Sequence, residues 1–439
     1  MRFLSKIRER QFAKKCGGAY NLSRAVLAGV LAAGCLMPGF AEAAVLDLQK
    51  ESEHGYTFNV AGTTGEKTTT ITSVTGNAGD TISIYWGSNN AGASVEGYTI
   101  NVDPVTIEPK INIYGGKGLN AANGNRVKIS GGIFKNIYGG FATSGTAEGN
   151  SVIINGGEFN ANVCGGFAAN AANGNSFIIN AGTFNSLICG GDGFTAAANG
   201  NIVEIRGGTI NAGVSGGFSE YGTANGNIVS ISGGNFNGNH DVRGGYSRSG
   251  TNSTANNNKV SISGGTVSGG TIYGGKSDYG TANSNSVSIS DVTINDDVRV
   301  WGGWAESNSG NANGNSVIIS GGTFNGNVRV WGGLSQSGTA NKNRVIISGG
   351  KFYNRVYGGE GEKAADENRV IISGGKFSRC WVYGGYSLNG TANRNQVIIS
   401  DGTFDGNVVG GSSTKEAKDN KIVLLGNNAS YTFTNAHVR

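Results

Sequence analysis

Between about residues 111 and 425 the chain returns twelve times to one pattern, and that recurrence constrains its fold more than any other feature. An Asn opens each unit, from Asn125 to Asn420, at spacings of 25 to 31 residues. A Gly-Gly pair closes the second half of each unit, from Gly115-Gly116 to Gly410-Gly411. Residues 343–352 and 368–377 are even identical, both reading NRVIISGGKF. A fixed period of this length marks a repeat architecture, in which each unit is one supersecondary element.

Comparing the copies shows which side chains face inward. Two residues after the Asn stands Val, with Phe177 and Ile422 the variants, and four after it stands Ile, with Leu424 the variant. The neighbours of these positions vary freely, as Arg126, Ser151, Lys259 and Gln396 show. An apolar residue at every second position predicts a strand with one buried face. Ser-Gly-Gly usually follows as a turn, and a second strand then carries a large apolar residue nine past the Asn. Eight of the first eleven copies place Phe there, among them Phe134, Phe159 and Phe404. Val or Ile stands two before each closing Gly-Gly, and Ala stands three before each Asn, as in Ala122, Ala224 and Ala340.

No unit can bury such a face alone, but stacked units can. The pattern predicts an all-β fold, a single-stranded parallel β-helix of about twelve coils with 25–31 residues each. At about 4.8 Å per coil the twelve span roughly 58 Å. The recurring Asn tolerates left-handed backbone and can bond the Asn of the next coil, so an Asn ladder is expected at a corner. Glycine interrupts every segment too often for helical repeats. Residues 44–110 lack the pattern and hold strand-like runs such as TTTITSV and TISIYW. They are expected to form an N-terminal β cap, with 111–425 as the helix proper and 426–439 as a C-terminal tail too short to cap it. Self-association through that end is expected.

Residues 1–43 read as a secretory signal. A long basic segment precedes an apolar run, Ala25 to Met37, too short to span a bilayer. Pro38 breaks it, and Ala41-Glu42-Ala43 suits cleavage after Ala43. The rival is a lipoprotein signal ending at Cys35, but Ala32 stands where Leu is usual. Setting aside the seven basic and two acidic residues of this segment leaves 27 of each sign. A neutral body gives no electrostatic case for nucleic acid. Three cysteines follow the signal, an odd number that argues against a disulfide framework. Cys164 and Cys189, one repeat apart, are read as small side chains sharing a rung.

The repeated N-x-V-x-I-S-G-G-x-F and V-x-G-G, behind a long basic signal, resemble the passenger regions of Gram-negative autotransporters and haemagglutinin-like adhesins. The likeness spans residues 1–43 and 111–425. It implies a right-handed parallel β-helix in a Gram-negative bacterium, exported and either secreted or displayed at the cell surface or outer membrane for adhesion. Host or matrix glycans or proteins would then be the partners. The family's C-terminal membrane β-barrel has no counterpart here, since the chain ends in Arg439. A truncated or split relative, or one served by a separate outer-membrane translocator, is expected.

Two charged groups, His240-Asp241-Arg243 and Asp296-Asp297-Arg299, are the best candidates for lyase or glycosidase chemistry. Isolated charges on a solvated turn explain them better, so no catalytic residue, metal or cofactor is expected. Calcium-binding nonapeptides need an Asp at each turn, and these turns carry Ser, Thr or Phe. The residue before each Gly-Gly is more informative. Alternation puts it outside, and from 273 to 383 it reads Tyr273, Trp301, Trp331, Tyr357 and Tyr383, with Trp304 and Tyr386 just past the glycines. This ladder is expected to be exposed, either stabilising the sheet or offering a stacking surface for sugar rings or a partner protein. A carbohydrate-active enzyme on the same scaffold, or a structural matrix protein, is the alternative.

Overall fold

A computed structural model describes residues 45–50, 57–61, 68–75, 81–87, 94–103, 110–250, 253–306, 310–425 and 431–433. The expected signal segment and its cleavage site at Ala43 lie outside them. The described residues hold strands and turns and no helix, and successive repeats pair in parallel as a β-solenoid of about twelve coils.

Each coil has three sides. On the first, strands such as Arg126–Ile129, Ser151–Ile154 and Ser176–Ile179 stack in register, with Val152 between Val127 and Phe177. The second side begins with a short strand such as Glu158–Phe159 and continues as one such as Val163–Ala168. The third is held by single parallel bridges, among them Thr223 to Thr254 and Thr254 to Thr281. The Val, Ile, Phe and Val/Ile positions form one continuous core whose members are almost wholly buried. Phe rings stack along it at 4.7 Å between Phe159 and Phe184 and again between Phe377 and Phe404. Offset stacking at this separation adds about 1 kcal/mol per pair beyond the area buried. Cys380 also sits in this core, and burial pushes its thiol pKa up.

The Asn ladder runs unbroken. In each of eleven steps from Asn125 to Asn420, the backbone N–H and the side-chain Nδ2 of one Asn both donate to the Oδ1 of the next. Nδ2 also reaches back to a carbonyl of the preceding coil, as from Asn175 to Ala147 at 2.9 Å. The second glycine of each closing pair exists for this amide. A Cβ added at Gly245 would lie 2.6 Å from both Oδ1 and Nδ2 of Asn258. The recurring Asn and the recurring Gly-Gly are therefore two halves of one contact.

A second ladder, which the repeat comparison misses, stands two residues earlier. Here the polarity reverses: Asn225 N–H donates to Asn199 Oδ1, Asn256 to Asn225 and Asn283 to Asn256, each at 2.7 Å. Between the two ladders the backbone takes positive φ. Glycine serves there in early coils (Gly124, Gly149, Gly174), whereas later coils carry Ser284, Lys342, Glu367 and Arg394 at φ 55° to 58°.

The stacking starts earlier than residue 111. Thr81–Gly87 pairs in parallel with Lys110–Gly118, Ser94–Glu96 with Ala121–Asn123, and Thr99–Val102 with Arg126–Ile129. These residues form a coil that lacks the Asn, Tyr98 standing in its place and donating its N–H to Asn125 Oδ1 at 3.0 Å. Pairing of the antiparallel kind comes before it: Val45–Lys50 on Thr81–Gly87, and Thr57–Ala61 on Thr68–Thr75. In the expected tail, Tyr431–Phe433 continues the second side in parallel with Gly402–Phe404.

Replacing Asn258 with Ala strips the acceptor from two buried donors of Asn227. A loss of about 3 kcal/mol is expected from such unsatisfied groups, seen as a lower urea midpoint. An unchanged midpoint would remove the ladder from the stability argument.

Candidate ligand-binding face

The residue before each Gly-Gly points away from the core, and so does the residue three further on. With no side chain on the glycines between them, these two columns meet. Tyr114 touches Phe141 with ring centroids 5.3 Å apart, Tyr273 touches Trp304 at 5.5 Å, and Tyr357 touches Tyr386 at 5.8 Å. Along the first column Tyr273 stacks on Trp301 at 5.0 Å and Trp301 on Trp331 at 5.1 Å.

The expected exposure of this ladder is overturned. Tyr273, Trp301, Trp331, Tyr357 and Tyr383 are only 4–7% exposed and form a second apolar cluster, with Trp304, Leu334, Tyr386 and Val409 packed against it. Alternation fixed the direction of the side chains, but neighbours at one-coil spacing pack against the rings, stacked at Tyr273, Trp301 and Trp331 and edge-on at Tyr357 and Tyr383. A Ser at Trp301 or Trp331 would open a cavity costing about 3–5 kcal/mol, so neither is a clean probe of binding.

The two cysteines lie in the same column and are joined: Cys164 and Cys189 form a disulfide, with Cα atoms 4.6 Å apart. This corrects the reading of two unbonded side chains. In-register parallel strands bring like positions of adjacent coils within the span that a disulfide needs. The odd count misled because Cys380 stands alone in the core.

The charged candidates do not converge on one site. Arg243 pairs with Asp241 and lies 4.8 Å over the Tyr246 ring. Asp297 accepts from Asn327 Nδ2 at 2.8 Å and stands 3.9 Å from Arg329. Asp296 lines a shallow recess with Asn239, Asn295 and Asn325. Arg299 is exposed on the outer face, in register with Arg329.

The face opens at its C-terminal end into a cleft of about 690 Å³, lined by residues of three coils. Tyr357, Tyr383 and Tyr386 contribute rings from the two columns, and Trp381, 47% exposed, stacks on Tyr383 at 5.9 Å. Arg355 stands on one side, and Gln336, Glu360 and Glu362 also line it. The wall differs from other coils because Asn354 and Arg379 take positive φ and the register shifts between Tyr353 and Asn354. Trp381 stays outside the cluster at this strand irregularity. Sequence reading passed over it, although it is a Trp two residues before Tyr383 and so on the same face.

Beneath the cleft, the Trp331 indole N–H donates to Glu360 Oε2 at 2.6 Å. Burial is the largest influence on this carboxyl and holds it above the ordinary range, against the Trp331 hydrogen bond and the charge of Arg355. Burial likewise raises the Tyr383 phenol to about 12. Among the described residues no group of three His, Cys, Asp or Glu side chains is arranged to hold a metal ion. Compared with protein-family models, curated proteins and solved structures, the chain matches none of the three.

Two outcomes follow from this geometry. Replacing Cys164 and Cys189 with Ser opens a 25-residue loop, for which chain entropy gives about 3.5 kcal/mol, so the urea midpoint should fall accordingly. A midpoint equal to the parent's would show that the bond adds nothing to stability. Glu360 has a raised folded pKa, so the stability tied to its proton is present below the unfolded value of about 4.3 and is lost as pH rises through the folded one. Glu360→Gln should therefore raise the melting temperature at pH 7 and flatten that fall, and a lower melting temperature at pH 7 would contradict it.

Proposed function

We propose that the chain is an exported, non-catalytic β-helix of adhesin type, displayed at the cell surface or secreted, that binds host or matrix glycans in the cleft between Leu334 and Leu388. The carrying observation is the half-exposed Trp381, stacked on Tyr383 beside Arg355, Gln336 and Glu362 in one cleft. An aromatic platform with polar groups around it offers a sugar ring both an apolar face to stack on and partners for its hydroxyls. The disulfide supports export, because such bonds persist mainly in oxidising compartments. Leu424 and Leu425, 42% and 48% exposed near the last coil, support self-association at that end. A separate outer-membrane translocator remains part of the proposal, on the family resemblance.

One observation favours the enzyme alternative: Glu360 and Glu362 both line the cleft, and paired carboxylates can cleave glycosidic bonds. A single experiment separates the readings. The exported chain is applied to a glycan array, and every bound glycan is incubated with it and assayed for new reducing ends. Binding without cleavage, weakened at least about tenfold by Trp381→Ala, is the expected result. Cleavage of a bound glycan would replace the adhesin reading with the hydrolase. Binding indifferent to Trp381→Ala would move the site elsewhere.

A further inference from the structure

The outer face already shows what its chemistry can hold. Lys276 lies in the second column, between Tyr246 of the coil before and Trp304 of the coil after. Its Nζ stands 4.8 Å from the Tyr246 centroid and 4.9 Å from that of Trp304. Asp278 and Glu306 hold the same nitrogen at 2.9 and 3.4 Å. Nearer the N-terminus, the Lys117 Nζ lies 4.4 Å from the Tyr85 centroid and 5.3 Å from that of Tyr114. Twice along one face, then, an ammonium sits over electron-rich rings, and at Lys276 carboxylates complete its shell.

The cleft assembles the same parts. Tyr357, Trp381, Tyr383 and Tyr386 supply rings, and Glu360 and Glu362 supply carboxylates. Glu362 stands five residues past Tyr357, as Asp278 stands five past Tyr273 and Glu306 five past Trp301. Among the described residues no lysine lines this cleft, and the one cation, Arg355, lies 5.8 Å from the Tyr357 centroid. The hydrogen bonds described for the two carboxylates come from neutral donors, Trp331 Nε1 to Glu360 and Asn389 Nδ2 to Glu362.

We propose that this cleft selects amino-bearing saccharides, with the sugar ring on Trp381 and its ammonium group held by Tyr386 and the carboxylates of Glu360 and Glu362. The inference rests on the glycan reading above and narrows it to one ligand class. Two carboxylates against one guanidinium disfavour an acidic sugar. Burial has already stripped water from Glu360, so a cation brought beside it is screened little and gains more than at a solvated carboxylate.

The test is calorimetric titration of the exported chain with three hexamers: glucosamine, N-acetylglucosamine and galacturonate. Glucosamine should bind about tenfold tighter than its acetylated counterpart, between the scales of an exposed and a desolvated cation–π contact, and should weaken with added salt. Glu362→Gln and Tyr386→Leu should each remove most of that preference, read as the ratio of the two affinities, so that a change common to both hexamers does not count. Glu362→Gln is nearly isosteric, so it stands as a test even if Tyr386→Leu disturbs the fold. Equal affinity for the first two hexamers overturns the inference, as does preference for galacturonate or a glucosamine preference that survives both variants. If none of the hexamers binds but other glycans on the array do, the ammonium inference falls and the glycan reading stands. If no glycan binds at all, both fall.

Discussion

The contact between an Asn amide and the glycine beneath it sets the rest of the molecule. The amide occupies the space where a glycine side chain would be, and its oxygen takes two hydrogen bonds from the coil next to it. Buried polar groups are tolerated only when paired, and here the partner shared by the backbone and side chain of each Asn is an identical group one coil away. Any coil that keeps the Asn must therefore keep the glycine, and must lie in register with its neighbours. Once register is fixed, Val stands over Val and Phe over Phe, and the core follows. The same register places Cys189 beside Cys164 and stacks the outward rings.

The core was readable because twelve copies reveal which positions are restricted, and restriction follows burial. Val127, Ile129, Phe134, Ile137 and Ala122 all lie where the comparison placed them, in contact with like residues above or below. Positions without that restriction were harder. The coil containing Tyr98 went unseen because it pairs like the others yet lacks their Asn. The reversed Asn ladder is blurred in sequence by Glu148, Asp366 and Lys418, since what it uses most is the backbone N–H at that position.

The outward face was misjudged for a different reason. Period-two alternation tells which way a side chain points, and says nothing of what covers it. Two apolar columns flank a strip of bare glycine, so together they make a second, shallower core. The signal was present in Phe141, Phe167, Phe218 and Tyr246, aromatic residues three past the column first noticed. The cleft was illegible because it depends on where strands depart from the repeat. Asn354 is one Asn among many that tolerate positive φ, and Arg379 carries no mark in the sequence that it adopts it.

The non-glycine corner residues bear on how near-identical coils find the right order. Lys342 and Arg394 both pair with Glu367, at 3.9 and 2.9 Å, from the coils on either side of it. Residues 343–352 and 368–377 are the same, so a chain that looped out the middle coil could rebuild an equivalent core. That shortcut would set Lys342 over Arg394, two cations where the native stack has an ion pair on each side. The difference is small for pairs this exposed, but it falls where the core offers no discrimination. Alternating charge along one edge thus acts as a page number for coils that are otherwise interchangeable.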